Sequence, residues 1–371
     1  MNRPFIPIRG GRARGVTLIE LLVGMVVGML AVLLISQVLL VSEGQKRTTT
    51  GGADAQVNGA LALYSIQRDV QMAGYGITSS PTVIGCPISA RYNGAAPAGF
   101  ATRLAPLVIT PEASRPAGSV GDSIRMLASS KPSYSVPTRV IPPAYAVGNT
   151  EFPVRAALGF AQGDLALVAT DGAQPCWVFQ VTGAPTARAL PRVNTAWNAA
   201  NAPDVAYADG AVLMNLGTLV DNIYEINGNV LQQSVFDVAN PAARVVRDLQ
   251  PDVVNLRAYY GRDTSVPADG VIDVYDQTTP ATNADWLRVK TVRVVVVARS
   301  STYEKDMVTP ANPQWSVGTL PATAGATTCA SGACLTIDVG AGVTGDVPAK
   351  HYRYKVFDTV IPLRNMLWSS S

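Results

Sequence analysis

Residues 12–25, RARGVTLIELLVGM, decide how the N-terminal part of this chain folds. They open an apolar run that lasts from residue 16 to residue 41, in which Glu20 is the single charged side chain. A helix of about 20 apolar residues is long enough to cross the hydrocarbon core of a bilayer. The run is longer than that, and it therefore predicts a membrane-spanning helix.

The charges on either side of this run predict its orientation. Four arginines and no acid precede it, whereas Lys46 and Arg47 follow it closely and Glu43 opposes them. The positive-inside rule places the arginine-rich end in the cytoplasm, so the bulk of the chain is exported. Without those four arginines the formal charge falls from +3 to −1, and the exported part has no electrostatic footprint for nucleic acid.

A secretory signal peptide is the first alternative to a retained membrane helix. The apolar core of such a peptide spans about 7 to 15 residues and is followed by a small-residue cleavage site. Here the apolar run is longer and no A-x-A site follows it, whereas Gly15 stands at the boundary between the basic head and the helix. The sequence therefore favours a helix that stays in the mature chain.

Glu20 needs either water or a cationic partner within this run. An unpaired carboxylate at the centre of a membrane helix costs about 2.5 to 3.5 kcal/mol. In the first turns the helix dipole lowers that cost, and an acid there can also extend to the interface. Alternatively, a cut after Gly15 would free the α-amine of Val16, and Glu20 of one subunit would neutralise the amine of another in an apolar assembly.

Residues 15–20, GVTLIE, with the apolar run behind them, resemble the class III signal of type IV pilins and of type II secretion pseudopilins. The resemblance implies that a prepilin peptidase cuts after Gly15 and methylates Val16. It also implies that Glu20 guides the docking of subunits into a filament. The family most often has phenylalanine where this chain has Val16. This difference weakens the expectation of methylation more than the expectation of cleavage.

Residues 42–76 predict an amphipathic continuation of the helix. No proline occurs between Pro7 and Pro81, and apolar residues recur at helical spacing. This spacing produces two neighbouring stripes that we expect to lie against the exported domain, namely Val57, Leu61, Tyr64 and Arg68, and Leu63, Ile66, Val70 and Ala73.

Glycines predict where this helix weakens and where it ends. Gly44 and the pair Gly51-Gly52 each lower helix stability by about 1 kcal/mol, so we expect a bend or an unwound stretch between two helical pieces. Gly74 and Gly76 are suitable terminators of the second piece.

The rest of the chain predicts a β-rich domain, with extended loops over residues 78–120. Asn227-Gly228-Asn229 is a good hairpin turn, and no βαβ rhythm occurs. The predicted strands lie at residues 123–128, 164–169, 176–182, 211–216, 223–232, 253–260 and 286–299.

We therefore predict an α+β fold in which a long N-terminal helix packs on a β-rich, pilin-like globular domain. The predicted parts are a cytoplasmic leader (residues 1–15), a transmembrane or filament-core helix (16–41), its amphipathic continuation (42–76) and the exported domain (77–371).

Two further stretches narrow the resemblance. Residues 67–76, QRDVQMAGYG, are similar to the end of the long helix in PilW-type minor pilins and J-type pseudopilins. Residues 352–365, YRYKVFDTVIPLRN, predict a half-buried strand and resemble the closing signature of PilW-type minor pilins. Residues 259–275, which lead into the strand at 286, share the likeness, and residues 80–210 carry little of it.

The four cysteines predict disulfides, the default in an exported domain. Cys329 and Cys334 enclose a short loop that contains a glycine, so we favour Cys329 with Cys334 and, as the long-range pair, Cys86 with Cys176. A four-cysteine zinc site is the competing interpretation, but the usual C-x2-C spacing is missing.

The sequence predicts no enzyme, no cofactor and no metal site. His351 is the only histidine, and without a second one or a G-x-S-x-G elbow we expect a surface or partly packed side chain. Asp263, Asp269 and Asp273 share one loop, but their spacing does not fit an EF-hand, and hairpin-turn chemistry accounts for them.

The preferred interpretation is a minor pilin, a structural subunit without catalysis. The resemblance implies that it primes assembly of a type IV pilus and is displayed near the tip. Its partners would be other minor pilins and the major pilin, bound through N-terminal helices, together with prepilin peptidase and a large tip adhesin. It would reside in the inner membrane before assembly and in the extracellular pilus afterwards.

Two alternatives stay open. A J-type pseudopilin of type II secretion is close, although those proteins are typically much shorter. A membrane-anchored periplasmic binding protein or enzyme comes from another class, and it predicts a closed pocket and normal function with the chain uncut. Whether a pilus would serve adhesion, twitching motility or DNA uptake is equally open.

Overall fold

The computed structural model describes residues 15–131, 136–170 and 175–369. About 34% strand and 21% helix confirm the predicted α+β class. The helices are α1 (Leu18–Met72), α2 (Asn283–Leu287) and α3 (Arg364–Ser369). The strands are β1 (Ile88–Ser89), β2 (Leu107–Thr110), β3 (Val120–Ala128), β4 (Thr138–Arg139), β5 (Glu151–Pro153), β6 (Leu165–Ala169), β7 (Cys176–Gln180), β8 (Ala189–Pro191), β9 (Val212–Gly217), β10 (Val220–Asn227), β11 (Val230–Val235), β12 (Val245–Pro251), β13 (Val253–Arg262), β14 (Val274–Asp276), β15 (Val289–Arg299), β16 (Gln314–Ser316), β17 (Ala322–Thr323), β18 (Thr327–Cys329), β19 (Gly332–Thr336) and β20 (Tyr354–Pro362).

Helix α1 is continuous through Gly44 and through the pair Gly51-Gly52. The predicted unwound stretch is therefore absent from these described residues, because a penalty of about 1 kcal/mol per glycine does not stop propagation of a long helix. The chain nevertheless divides into two compact units between Gly51 and Gly52. The helix ends at Met72, and Gly74 behind it adopts the left-handed conformation with φ +82°.

Three five-stranded sheets form the second unit. Sheet I has the order β1-β7-β6-β9-β4, sheet II the order β12-β11-β10-β3-β2, and sheet III the order β17-β14-β13-β15-β20. The strands β16, β19 and β18 form a smaller sheet, and β5 pairs with β8. Within the five-stranded sheets the neighbours are antiparallel except for the pairs β1–β7 and β14–β17.

The predicted strands recur as β3, β6, β7, β9, β10, β11, β13, β15 and β20, with shifted ends. Gly228 and Asn229 form the predicted hairpin turn, with φ +57° and +63° between the paired residues Asn227 and Val230. Several short elements were not predicted, and strand β2 and helix α2 are two of them. Strand β2 lies in the segment predicted as loops and is held by β3, and the short helix α2 precedes β15 because Thr282 and Asp285 form a capping box.

The second half of α1 packs on sheets II and III. Its inner stripe, Ala62, Ile66, Val70 and Ala73, is fully buried and forms one core with both sheets. Strand β15 is covered on both faces, as its valine pattern predicted, because alternate residues belong to this core and to a second one around Trp315.

Sheet I has cores of its own on its two faces. Every residue of β6 and β9 is buried, and the two clusters include Trp197 on one face and Phe152 on the other. Most of this sheet comes from the segment between β3 and β10. It is therefore an insertion into the chain between two neighbouring strands of sheet II.

Both favoured disulfides are present. Cys86–Cys176 joins the segment after α1 to β7, and Cys329–Cys334 closes the β18–β19 hairpin. The first bridge closes a loop of 90 residues, and long loops lose the most entropy in the unfolded chain when they are cross-linked.

Gly59 tests how closely α1 packs on sheet III. A Cβ at residue 59 would lie 2.2 Å from Cε2 of the Phe357 ring on β20. Overpacking of this kind costs about 1 to 3 kcal/mol, against which alanine recovers about 1 kcal/mol of helix propensity. We expect Gly59→Ala to lower the free energy of unfolding of the second unit, measured by urea titration of the full chain in detergent.

Gly52→Ala is the matched control, because no described atom lies within 4 Å of a Cβ at that position. Helix propensity acts alone there, so stability should stay level or rise. Equal stability of the two variants would contradict the packing argument, whereas Phe357→Leu should restore part of the loss in the Gly59→Ala background.

Candidate functional site

Thr17 and Glu20 form a capping box at the start of α1. The backbone N–H of Glu20 donates to Thr17 Oγ1 over 3.3 Å, and the backbone N–H of Thr17 donates to Glu20 Oε2 over 3.4 Å. Two N–H groups that lack helical partners are thereby satisfied. Our sequence-based interpretation missed Thr17, although T-x-x-E before an apolar run is the signature of this motif.

The capping box leaves Glu20 able to bind a cation. Its contacts with Thr17, including one from the Thr17 hydroxyl at 3.4 Å, all use Oε2, and the side chain is exposed. An ionised carboxylate accepts several hydrogen bonds at once. Among the described contacts Oε1 is unused, and it is therefore the oxygen that an added amine would approach.

The first half of α1 presents an apolar surface on all sides. From Val16 to Val41 every large apolar side chain is at least 53% exposed. Length and composition are sufficient for this helix to cross a membrane. Exposed apolar surface of this extent marks a site of contact with lipid or protein.

Gly15 and Val16 lie at the exposed start of the described chain. Both residues are exposed, and no atom of the described residues lies within 4 Å of a Cβ built on Gly15. The bond between them is therefore exposed, and Glu20 follows it in the first turn of the helix, five residues after Gly15 and four after Val16. Of the predicted leader (residues 1–15), residues 1–14 lie outside the described part of the chain.

The other end of α1 is held by the C-terminal segment. Asn365 Nδ2 donates to the backbone carbonyl oxygen of Ala73 over 2.9 Å and approaches that of Met72 at 3.4 Å. The Thr78 hydroxyl lies 3.0 Å from the carbonyl oxygens of Gly74 and Asn365. The last carbonyls of a helix have no helical donor, and Asn365 supplies one.

Asp69 ties the last turns of α1 to sheet II. Its carboxylate accepts hydrogen bonds from the Tyr224 hydroxyl and from the amides of Asn222 and Gln233, the latter two at 3.2 and 3.1 Å. Burial and the neighbouring carboxylate raise the pKa of Tyr224, which keeps the hydroxyl protonated as a donor. The adjacent Arg68 side chain is 71% exposed and contacts the same carboxylate at 3.4 Å, so Asp69 joins this surface arginine to the side chains of sheet II.

The outer face of the same helical segment is exposed. Val57 is 55% exposed, Leu61 45% and Tyr64 62%. The prediction that both stripes lie against the domain is therefore wrong for this one. Of the other stripe, Ile66, Val70 and Ala73 are buried against the sheets and Leu63 is partly buried.

The remaining candidate side chains are bound within the fold. His351 is packed more deeply than predicted, with 4% of its surface exposed. Asp263 accepts hydrogen bonds from the backbone N–H groups of Ser265 and Gly270, and Asp273 accepts from Thr264. Among the residues that the structure describes, no group of three or more His, Cys, Asp or Glu side chains is arranged to hold a metal ion.

A comparison with protein families bears on the C-terminal half. A family model described as Type IV Pilus-assembly protein W matches residues 225–365. The matched segment runs from β10 to Asn365 and includes sheet III with its small neighbouring sheet. No curated protein and no solved structure matches the chain. The match supports a type IV pilus-related protein.

Asn365→Asp tests the closure of the helix end. An aspartate has the same shape but cannot donate to the carbonyls of Ala73 and Met72, and its charge opposes the negative end of the helix dipole. We expect the free energy of unfolding to fall by about 1 to 3 kcal/mol in a urea titration.

Asn240→Asp, at an exposed position, is the matched control and should leave stability nearly unchanged. If both substitutions have the same small effect, Asn365 does not hold the helix end.

Proposed function

We propose that this chain is a minor pilin, a structural subunit that primes assembly of a type IV pilus and is displayed near its tip. The observation that carries the proposal is the start of α1, where Gly15 and Val16 precede the helix, Glu20 lies in its first turn, and the apolar side chains that follow are exposed on all sides. The family match over residues 225–365 supports the assignment to a pilus.

An apolar helix of this kind is stable in lipid and in a bundle of similar helices. Both surroundings remove its surface from water, so a subunit passes from membrane to filament without exposing that surface. Glu20 is the one group that both surroundings disfavour. In a filament its carboxylate would be compensated by the amine that cleavage after Gly15 creates at Val16, and N-methylation of Val16 leaves that amine charged.

The partners follow from this arrangement. Other minor pilins and the major pilin would contact the chain through their N-terminal helices, and prepilin peptidase would act on it in the inner membrane. The second unit, with its three sheets, would face outward in the pilus, where a large tip adhesin is the further partner. The subunit itself would carry out no catalysis.

Cleavage is tested by the intact mass and N-terminal sequence of the protein from membranes of cells that contain prepilin peptidase. We expect the wild-type chain to begin at Val16, with or without an added methyl group, and Gly15→Leu to begin at Met1. Gly24→Leu, within the apolar helix, should be cut like the wild type. A wild-type chain that begins at Met1 would contradict the proposal and favour an anchored binding protein.

The charge of Glu20 is tested separately from its capping role. Glu20→Gln keeps an acceptor for the capping box but removes the charge. Breaking a buried ion pair costs about 3 kcal/mol or more, which corresponds to roughly a hundredfold weaker docking. We expect this variant to be cut and inserted in the membrane normally and to be nearly absent from sheared pili.

Glu43→Gln, which changes the next acid along the helix, is the control and should enter pili at the wild-type level. Normal incorporation of Glu20→Gln would show that no amine pairs with Glu20, while leaving the cleavage experiment unaffected.

A further inference from the structure

His351 joins two surface segments. Its ring stacks on Tyr303 with centroids 4.6 Å apart and planes 15° apart. Nδ1 lies 2.8 Å from the backbone carbonyl oxygen of Glu304, in the segment after β15. Nε2 lies 2.5 Å from Oδ1 of Asp346, in the segment after β19. Each ring nitrogen therefore faces an oxygen, and the two oxygens belong to different segments.

These two contacts specify the charged form of the ring. A carbonyl oxygen and an ionised carboxylate can only accept hydrogen bonds, so both ring nitrogens must donate. A neutral imidazole has one N–H, whereas an imidazolium has two. In agreement with this geometry, the hydrogen bond to Asp346 raises the pKa of His351 above its ordinary value, against the opposing effect of burial.

Other charged groups around the ring are either paired or turned away. The Glu304 carboxylate is bound by Arg353, at 2.6 and 3.1 Å. Lys350 donates to the carbonyl oxygen of Gly345 over 2.8 Å, and Asp306 faces the imidazole through its backbone. Asp346 is therefore the carboxylate that the ring contacts directly.

Asp346 belongs to an exposed surface loop. Residues 342–346, which we name the surface loop, are all exposed. Two contacts join the end of the loop to the residues that follow it. Lys350 donates to the carbonyl oxygen of Gly345, and His351 contacts the carboxylate of Asp346. One of these two ties depends on a group that titrates near neutral pH.

We propose that His351 is a pH-sensitive latch, which holds the surface loop to the body of the domain while its ring is charged and releases it when the ring loses a proton. The proton leaves Nε2. The Asp346 side chain is 70% exposed and can turn to water, whereas the Glu304 carbonyl is fixed, since the Glu304 N–H also donates to the His351 carbonyl oxygen over 2.9 Å.

The direction of the pH effect follows from the raised pKa. The folded chain binds this proton more tightly than the unfolded chain, so the latch contributes fully at pH values below the ordinary histidine pKa of about 6.5. Its contribution is lost as the pH rises through the higher pKa of the folded state. The loop is therefore held in mildly acidic surroundings and released in alkaline ones, independently of the proposed pilus role.

The chain offers a direct test because it contains a single histidine. In the full-length protein in detergent, labelling with ¹⁵N-histidine makes the ring nitrogens of this one side chain observable by NMR. We expect the ring to titrate above about 6.5 and the neutral form to be the Nδ1–H tautomer. Hydrogen–deuterium exchange, corrected for its intrinsic pH dependence, should show protection of residues 342–346 that falls through the same pH.

Asp346→Asn removes the carboxylate and keeps the shape. We expect the pKa of His351 to fall by about 1 unit or more. The protection of the surface loop should then no longer change between the ordinary histidine pKa and the raised pKa of the wild-type protein. Asp306→Asn removes an equal charge nearby while leaving its backbone contact, and it should change the pKa much less. The proposal is overturned if His351 titrates at or below its ordinary pKa, if Asp346→Asn and Asp306→Asn act alike, or if the neutral ring is the Nε2–H tautomer.

Discussion

The structure depends on the burial of one narrow stripe of α1. Ala62, Ile66, Val70 and Ala73 are fully buried against sheets II and III, and the absence of a side chain at Gly59 lets the Phe357 ring lie against the helix. Small residues on this stripe bring the helix backbone close to both sheets, so a few added atoms are costly. Burial of the apolar stripe holds the helix on the sheets. Hydrogen bonds of Asp69 and Asn365 fix its position along its axis and its rotation about that axis.

The two halves of this helix suit different surroundings. Its first half is apolar on all sides, which suits lipid or a bundle of helices, and its second half is amphipathic, which suits the surface of a β-rich domain. Glu20 is a charged residue in the apolar half, and Asp69 is a charged residue on the side of the amphipathic half that contacts sheet II. Asp69 accepts hydrogen bonds from three side chains of sheet II and from Arg68 on its own helix, whereas the described contacts of Glu20 all come from Thr17. This difference is why an external partner is proposed for Glu20 alone.

Two of the stretches that resemble pilins contact each other in the structure. The residues 67–76 and 352–365 are distant in the chain, yet Asn365 of the second stretch closes the helix end formed by the first. The family match ends at that same residue. All five strands of sheet I lie outside the matched segment, and this sheet has cores of its own.

By itself the sequence determined the elements that local pattern governs. The long helix, the Gly228-Asn229 turn, the valine-rich strand β15 and the two disulfides follow from periodicity, turn chemistry and spacing. Only the tertiary structure decided what depends on distant partners. Strand β2 exists because β3 offers it hydrogen bonds, and α1 stays helical through its glycines because neighbouring turns are cooperative. His351 is packed against a backbone carbonyl from the distant segment after β15. No local pattern encodes these partners, because they meet only when the chain has folded.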